Sequence, residues 1–240
     1  MKTWIARWKN RLGQAGWLEW EVLAAMLVVC AGAWLFIALA AWVRDEGTHE
    51  LELSFMRSLR TPEDPHVPIG PFWIAEVMRD FTALGGAVVV IMLSLLVIIY
   101  LALRRRWTRV VLLVVTVAGG YALSNGLKNV IDRPRPDIVP HLTHVSSASF
   151  PSGHSMMASI VYITLGALLA QAAERRREKV FFLAVAFLLS GIIGFSRVYL
   201  GVHFPTDVLA GWCAGTVWAF GCWLVARWSR ARREAARAAP

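Results

Sequence analysis

Long runs of apolar residues, separated by short polar connections, dominate the hydropathy pattern of this 240-residue chain. A helix needs about 17 to 25 apolar residues to cross a bilayer, and these runs reach that length. The pattern therefore predicts an all-α membrane protein, a single domain over 1–240, with six spanning helices. The predicted spans are 22–43, 82–103, 110–127, 155–173, 180–195 and 208–225.

Small residues within two of these spans predict where helices approach one another closely. Glycine lacks a Cβ, so two helix backbones can meet at short distance wherever it faces a neighbour in lipid. We expect close packing at Gly119, Gly120 and Gly126 in the third span and at Gly211 and Gly215 in the sixth.

Basic residues are concentrated in four segments, which hold 17 of the 25 lysines and arginines. With six spans these segments lie on one side of the membrane, and the positive-inside rule makes that side cytoplasmic. We therefore expect both termini to be cytoplasmic, and the net charge of +9 indicates membrane topology and no nucleic-acid partner. The clusters are Lys2, Arg7, Lys9 and Arg11; Arg104, Arg105, Arg106 and Arg109; Arg175, Arg176, Arg177 and Lys179; and Arg227, Arg230, Arg232, Arg233 and Arg237.

Three longer segments lie outside the predicted spans. Residues 1–21 combine tryptophans with basic residues and predict either a cytoplasmic amphipathic segment or a simple topology anchor, and residues 227–240 form a basic cytoplasmic tail. Residues 44–81 are acidic, which suits an external location, and they predict either a lid or a pair of interfacial helices that only connect two spans. The apolar stripe of this segment is Leu51, Phe55, Met56 and Leu59.

The cysteines and loop histidines do not suggest a metal centre. All three cysteines fall inside predicted spans, so neither a disulfide framework nor a thiolate metal site is indicated. His141 and His144 lack a third residue at metal-ligand spacing, and we interpret them as solvated. We expect no metal and no cofactor.

Chemistry-bearing residues are densest in 196–207, between the last two apolar runs. A neutral imidazole can attack phosphorus if a carboxylate fixes its tautomer and stabilises the positive ring that results. His203 and Asp207 stand four residues apart at the predicted start of a helix, and Arg197 adds a planar fork for phosphate oxygens. A helix-capping arginine, an interfacial histidine and an aspartate favoured by the helix dipole are the structural alternative.

Two further segments carry groups suited to phosphate. Lys128 ends the third predicted span, and Arg135 precedes Pro136 after six intervening residues. Ser152 is a predicted N-cap at the start of the fourth span, and the exposed amides of a helix N-terminus form an anion site. Gly153 permits close approach of the backbone to an oxyanion, and His154 is placed to protonate a leaving oxygen.

In the six-span topology all three segments emerge at the external face of the membrane. The topology follows from the cytoplasmic charges alone, so this coincidence supports one functional site independently of the residues themselves. A four-position pattern like that of 196–207 arises by chance on the order of once in a thousand chains of this length. The three segments together therefore predict a phosphate-handling site.

The same residues resemble the type 2 phosphatidic acid phosphatases, or lipid phosphate phosphatases, a family related to bacterial acid phosphatases and vanadium haloperoxidases. The family signatures are Lys, six residues, Arg-Pro; Pro-Ser-Gly-His; and Ser-Arg, five residues, His, three residues, Asp. Residues 128–136, 151–154 and 196–207 satisfy them without departure, and these catalytic core segments span 128–207.

The resemblance implies a six-helix membrane core and a role for each motif residue. His203 would be the nucleophile that forms a phosphohistidine, Asp207 would orient it, and His154 would be the general acid. The phosphate would be bound, without a metal, by Lys128, Arg135, Ser152, Gly153 and Arg197.

The expected function is an integral membrane lipid phosphatase of the bacterial inner membrane, multi-pass, with its site facing the periplasm. Undecaprenyl diphosphate is the first expected substrate, by analogy with bacterial family members. Phosphatidylglycerophosphate, phosphatidic acid and phosphotransfer between lipids, such as that on lipid A, are alternatives. A transporter or a structural membrane protein is disfavoured because no charge lies within a span and the ionisable groups cluster at one face. No sequence feature indicates an oligomeric state.

Overall fold

Eight α-helices make up the described part of the computed structural model, which covers residues 2–44, 49–137, 141–142 and 147–238. Side chains are described for 20–44, 50–137, 141–142, 147–233 and 236, so His144 and residues 45–48 of the predicted external segment lie outside the described residues. The helices are α1 (Lys2–Val43), α2 (His49–Ser58), α3 (Phe72–Leu84), α4 (Ala87–Leu103), α5 (Trp107–Ile131), α6 (Gly153–Ala172), α7 (Arg176–Tyr199) and α8 (Pro205–Ala238).

Five helical stretches in these ranges are long and apolar enough to cross a membrane. They are Trp20–Val43 within α1, the whole of α5, α6 and α7, and Pro205–Arg233 within α8. The sixth candidate is the pair α3 and α4, which are bent by 47° at a short break. The predicted all-α bundle of membrane-spanning helices is thereby confirmed.

The span predicted over 82–103 is not one helix. Residues 82–84 end α3, and α4 begins at Ala87 after two glycines. A Cβ on Gly85 would lie 2.5 Å from Cγ2 of Ile193 and 3.3 Å from the carbonyl oxygen of His154. The break therefore sits where the chain passes very close to α6 and α7, a tertiary contact that the apolar run does not reveal.

Helix α6 lies at the centre of the bundle, in contact with α4, α5, α7 and α8. Within its most apolar stretch 61% of residues are buried, against 6% for α1, which lies at the periphery of the bundle. A Cβ on Gly211 would lie 2.7 Å from Ser152 O, and one on Gly215 would lie 2.5 Å from Met156 O. The backbones of α8 and α6 are therefore in direct contact at these two glycines.

The other glycines of the close-packing prediction divide into two groups. A Cβ on Gly119 would meet Trp218 at 2.5 Å, and one on Gly120 would meet Ile160 at 2.4 Å, so both are contact points as expected. Gly126 has nothing within 4 Å of its Cβ position, and the prediction of close packing is wrong there.

Helix α2 packs onto the turn between α7 and α8. Met56 and Leu59 are buried against Val198, Phe204 and Val208. The other two members of the predicted stripe are exposed, with Leu51 at 76% against 1% for Met56. The buried face of α2 is rotated from the predicted one, so that it includes Glu52.

Both terminal segments continue as helix. Residues 2–21 of the predicted N-terminal segment belong to the same helix as the first span, and the basic tail prolongs α8 as far as Ala238. Arg227 of α8 lies 3.3 Å from Glu21 of α1, which links the two helices at the end of the bundle where the chain begins. The assignment of these segments to the cytoplasm stays a prediction.

Candidate active site

Four chain segments converge at one end of the bundle: the ends of α5 and α7 and the starts of α6 and α8. Local sequence explains each turn. Asp132 ends α5 in the left-handed conformation with φ of 40°, and the prolines that follow cannot continue a helix. Gly201, with φ of 76°, closes the turn after α7, and Pro205 suits the first turn of α8.

His203 lies in this last turn and is buried, with 1% of its surface exposed. Its Nδ1 is 3.4 Å from Oδ2 of Asp207 and 3.2 Å from the hydroxyl of Ser149. Burial lowers the pKa of His203 to about 3, although the hydrogen bond to Asp207 acts in the opposite direction. The imidazole is therefore neutral near pH 7, and a proton on Nδ1 leaves the lone pair on Nε2.

Asp207 is fully buried and receives several hydrogen bonds. Nη1 of Arg133 donates to Oδ1 at 2.6 Å, and the backbone N–H of Phe204 donates to Oδ2 at 2.9 Å. Ser149 also donates its hydroxyl proton to Oδ2. These donors fix the carboxylate in one orientation, facing the Nδ1 edge of His203.

A cavity of about 250 Å³ opens in front of the imidazole. Its wall brings together six of the eight residues that the sequence predicts for the site. They are Lys128, Arg135, Gly153, His154, Arg197 and His203. Asp207 lies behind the imidazole, outside the wall, as an orienting group would.

Neutral oxygens hold the three cations of the cavity in place. Lys128 donates to Ala148 O at 2.7 Å, and Nη1 of Arg135 donates to Val202 O at 2.7 Å. Nη1 of Arg197 donates to Thr82 Oγ1 at 2.8 Å. Nη1 of Arg135 also lies 3.2 Å from Nε2 of His203, so this guanidinium borders the atom that would attack phosphorus.

The start of α6 presents Gly153 and His154 to the cavity, but it does not present Ser152. The hydroxyl of Ser152 accepts from Ser155 Oγ at 2.9 Å and caps α6 through Ser155 N at 3.4 Å. The N-cap prediction for Ser152 agrees with this contact, whereas its role as a phosphate ligand stays a prediction.

Comparison with known proteins identifies the family. Residues 109–231, which contain all three motifs, match the PAP2 superfamily. The chain belongs to the PAP2 superfamily. The phosphatidylglycerophosphatase B of Bacillus subtilis is 39% identical over 145 residues, which are 60% of this chain and 70% of that protein. The predicted family and the predicted enzyme class, a lipid phosphatase, are confirmed.

Two further matches bear on fold and substrate. The crystal structure of a transmembrane PAP2-type phosphatidylglycerolphosphate phosphatase from Bacillus subtilis superimposes with a TM-score of 0.73 and 31% identity, covering 81% of this chain and 94% of that one. An undecaprenyl-diphosphatase of Sulfolobus acidocaldarius is 35% identical over 68 residues, which are 28% of this chain and 29% of that protein.

An apolar groove adjoins the cavity of this PAP2 phosphatase. It has a volume of about 370 Å³, is lined almost entirely by aliphatic side chains of α4 and α5, and shares Ala87, Tyr121 and Met157 with the polar cavity. A phosphate in the cavity and a hydrocarbon chain in the groove can therefore belong to one lipid molecule.

The sequence motifs assign no role to three buried residues beside the dyad of His203 and Asp207. Arg133 and Ser149 bond Asp207 directly, and Glu52 bonds Arg133 from α2. Arg133 stands in the run Asp-Arg-Pro-Arg-Pro, and two arginines so close to the membrane are a signal that could have found it. Ser149 and Glu52 carry no comparable signal, because a serine-rich loop and an acidic external segment usually face solvent.

Potential metal ligands are not clustered in the described part of the chain. No group of three or more His, Cys, Asp or Glu side chains there is arranged to hold a metal ion. Metal independence stays a prediction, which an assay in chelator tests.

Proposed function

We propose that this PAP2 phosphatase hydrolyses the phosphate monoester of phosphatidylglycerophosphate through a phosphohistidine on His203. The observation that supports the proposal most is the cavity itself. There a buried neutral imidazole borders Arg135, Lys128 and Arg197 lie in the same wall, and an apolar groove begins beside them. The geometry suits a phosphate with an acyl chain attached.

In the first step, the lone pair on Nε2 of His203 forms a bond to phosphorus. The bond from phosphorus to the lipid oxygen breaks, and that oxygen takes the electron pair together with a proton from His154. The imidazole becomes positively charged, and Asp207 stabilises that charge through Nδ1–H. The three cations of the cavity bind the equatorial oxygens, on which negative charge develops.

In the second step, water attacks the phosphohistidine. His154, neutral after the first step, takes a proton from this water as the new oxygen–phosphorus bond forms. The nitrogen–phosphorus bond breaks, its electron pair returns to Nε2, and inorganic phosphate leaves. A lipid hydroxyl in place of water would give phosphotransfer, which an acceptor-dependent product would reveal.

The extent of similarity to known proteins favours phosphatidylglycerophosphate over undecaprenyl diphosphate, the substrate first expected from the sequence. The relatives named for this lipid match over most of their own length, whereas the undecaprenyl-diphosphatase matches over only 68 residues. Undecaprenyl diphosphate, the substrate first expected from the sequence, is the second candidate. Its chain is longer than an acyl chain, so the two lipids would make different demands on the groove.

Phosphate release by purified protein in detergent and chelator tests the proposal. Phosphatidylglycerophosphate, undecaprenyl diphosphate and phosphatidic acid are compared in parallel, with His203→Ala as the control. We expect kcat/KM for phosphatidylglycerophosphate to lead by tenfold or more, a difference of about 1.4 kcal/mol in transition-state binding. A tenfold higher kcat/KM for undecaprenyl diphosphate would overturn the substrate assignment. If none of the three lipids releases phosphate, the proposal that the protein hydrolyses them is refuted.

A groove-filling variant tests the proposed site of the lipid chain. Ala118 lines the groove on α5, and Ala118→Phe should raise KM for long-chain phosphatidylglycerophosphate. KM for a short-chain analogue should stay unchanged. Val115→Phe is the matched control, because Val115 is exposed on the same helix but does not line the groove. Equal effects of the two variants would argue against chain binding there.

We also propose that the site faces the periplasm of a bacterial inner membrane and that both termini are cytoplasmic. The basic turn around Arg105 and the site lie at opposite ends of the helices that connect them. Labelling of Glu63→Cys and Arg105→Cys by a membrane-impermeant maleimide on spheroplasts tests this, since both positions are exposed. We expect Glu63→Cys alone to be labelled above the background of the native cysteines. Labelling of Arg105→Cys alone would show that the protein has the opposite orientation in the membrane.

A further inference from the structure

A chain of buried charges leads from Glu52 of α2 to the proposed catalytic dyad of His203 and Asp207. Nη2 of Arg133 lies 2.5 Å from Oε2 of Glu52, and Nη1 of the same guanidinium lies 2.6 Å from Oδ1 of Asp207. The side chains of Arg133 and Glu52 are each 3% exposed. One arginine thus joins a carboxylate of the connecting segment to the carboxylate that faces His203.

Thr206 closes this chain into a ring. Its backbone N–H and its hydroxyl both donate to Oε1 of Glu52, at 3.1 Å and 2.5 Å. The hydroxyl also accepts from Nη1 of Arg133 at 2.9 Å. Because Thr206 immediately precedes Asp207, Glu52 fixes the backbone of α8 at the position from which the catalytic carboxylate projects.

Stability alone is a poor explanation for such a group. Burying ion pairs costs desolvation energy that their attraction repays only with good geometry, and apolar residues of similar volume often stabilise a protein as well or better. The planar fork of arginine, in contrast, joins two carboxylates at fixed angles, which a lysine cannot do. The arrangement is therefore suited to setting an orientation.

The charge balance of the ring points to the same role. Arg133 alone would compensate Asp207 fully, but it is shared with Glu52, so the three side chains carry a net charge of minus one. That remaining negative charge lies next to an imidazole that becomes positive when it bonds to phosphorus. The ring thus keeps Asp207 both oriented and available to the developing charge.

We propose that Glu52 and Arg133 are positioning residues that hold Asp207, and through it His203, in the orientation for attack on phosphorus. The inference rests on the proposed phosphohistidine mechanism. It gives α2, within the external segment 44–81, a role beyond connecting two spans, because this short helix supplies the outer carboxylate of the ring. This role is to hold His203 in a fixed orientation, and it requires no movement of residues 44–81.

Glu52→Gln and Arg133→Lys test the proposal, with Glu50→Gln and Arg57→Lys as matched controls. Both control residues are exposed on α2. We expect kcat to fall about 10- to 100-fold in the two test variants, because a displacement near 1 Å has an effect of that size. KM should stay within about twofold, since neither residue lines the phosphate cavity. Phosphohistidine formation in a single turnover should slow by the same factor as kcat.

The dependence on the leaving group separates positioning of the nucleophile from a loss of acid catalysis, and thermal unfolding reports any general loss of structure. His154 protonates the leaving oxygen in the proposed mechanism and is not part of the hydrogen-bonded ring that contains Glu52. Glu52→Gln should therefore slow the hydrolysis of esters with acidic and with basic leaving groups by the same factor. Thermal unfolding in detergent accompanies each assay. If Arg133→Lys does not accumulate as folded protein, Thr206→Val removes one hydroxyl with little change in shape, and kcat should fall with KM unchanged.

Three outcomes would overturn the proposal. Glu52→Gln with kcat within twofold of Glu50→Gln, while the unsubstituted protein forms phosphohistidine, refutes the positioning role alone. A fall of kcat that is fully accounted for by a smaller folded fraction, with a lowered melting temperature, shows a structural role. A protein that turns over without phosphohistidine at His203 refutes the proposed mechanism and the positioning role with it.

Discussion

Gly211→Ala perturbs the contact between α6 and α8, the two helices that carry the proposed catalytic residues His154 and Asp207. Gly211 lies one turn beyond Asp207 on α8, and its missing Cβ would fall 2.7 Å from Ser152 O, 2.9 Å from Ser155 Cβ and 3.1 Å from Met156 N. Two of these three neighbours are backbone atoms at the start of α6, and neither can rotate away. The added methyl group can therefore be accommodated only if α8 moves away from α6.

The size of that movement follows from the distances. Ordinary contacts of a Cβ begin near 3.4 Å, so relieving a contact of 2.7 Å requires a shift of several tenths of an ångström to 1 Å. The shift separates His203 and Asp207 from His154. A misplacement of about 1 Å costs on the order of 100-fold in rate, and overpacking costs about 1 to 3 kcal/mol of stability.

Phosphate release and thermal unfolding of Gly211→Ala, measured beside Gly126→Ala, test this reasoning. Gly126 has nothing within 4 Å of its Cβ position and also lies in a spanning helix, so its substitution should leave kcat unchanged. We expect kcat of Gly211→Ala to fall about 100-fold, well beyond the effect of reduced stability on the folded fraction. Equal kcat values for the two variants would refute the argument that backbone contact between α6 and α8 sets the catalytic geometry.

The remaining predictions concern the chemistry of the site. His203→Ala should abolish turnover and retain folding and membrane insertion, and substantial residual activity in purified protein would remove the nucleophile assignment. His154→Ala should slow esters with basic leaving groups most, and equal losses across an ester series would argue that His154 only binds. Activity should persist in chelator, and a loss that added metal restores would count against metal-independent hydrolysis. Because burial lowers the pKa of His203 to about 3, its ¹⁵N signals at pH 5 should be those of a neutral imidazole. In the unfolded chain the same histidine has a pKa near 6.5 and binds a proton first as the pH falls. The free energy of unfolding should therefore decrease as pH falls from about 6.5 toward 3.

Five of the six spans and most of the cavity could be predicted because their signals are local. Long apolar runs define membrane helices, and basic clusters at alternate turns arrange them into a topology that brings three short motifs to one end. The spacing of His203 and Asp207 also survives in the fold, although His203 lies in the turn before α8 and only Asp207 lies within the helix. Sequence spacing was sufficient here because both residues belong to one short turn.

The features that the sequence did not reveal depend on partners far away in the chain. Glu52 and Arg133 are 81 residues apart in the chain. The charged residues around each of them do not predict that either side chain is buried. The break at Gly85 is likewise set by Ile193 of α7, so the apolar run from 82 onward read as one span. The phosphate role that the resemblance implies for Ser152 stays a prediction, and in the structure the hydroxyl of Ser152 accepts from Ser155 of its own helix.

The charge distribution separates two tasks within this PAP2 phosphatase. In the described structure Lys128, Arg135 and Arg197 are held by neutral oxygens and no carboxylate forms a salt bridge with them, whereas Arg133 is paired with two carboxylates. The first set retains its charge for a phosphoryl group, and the second set is already committed to the dyad. A field of three cations attracts any phosphate monoester and cannot distinguish one lipid from another. We propose that the apolar groove between α4 and α5 contributes to discrimination between acyl and polyprenyl lipids. Substitutions there should change that preference while the rate of phosphohistidine formation is retained.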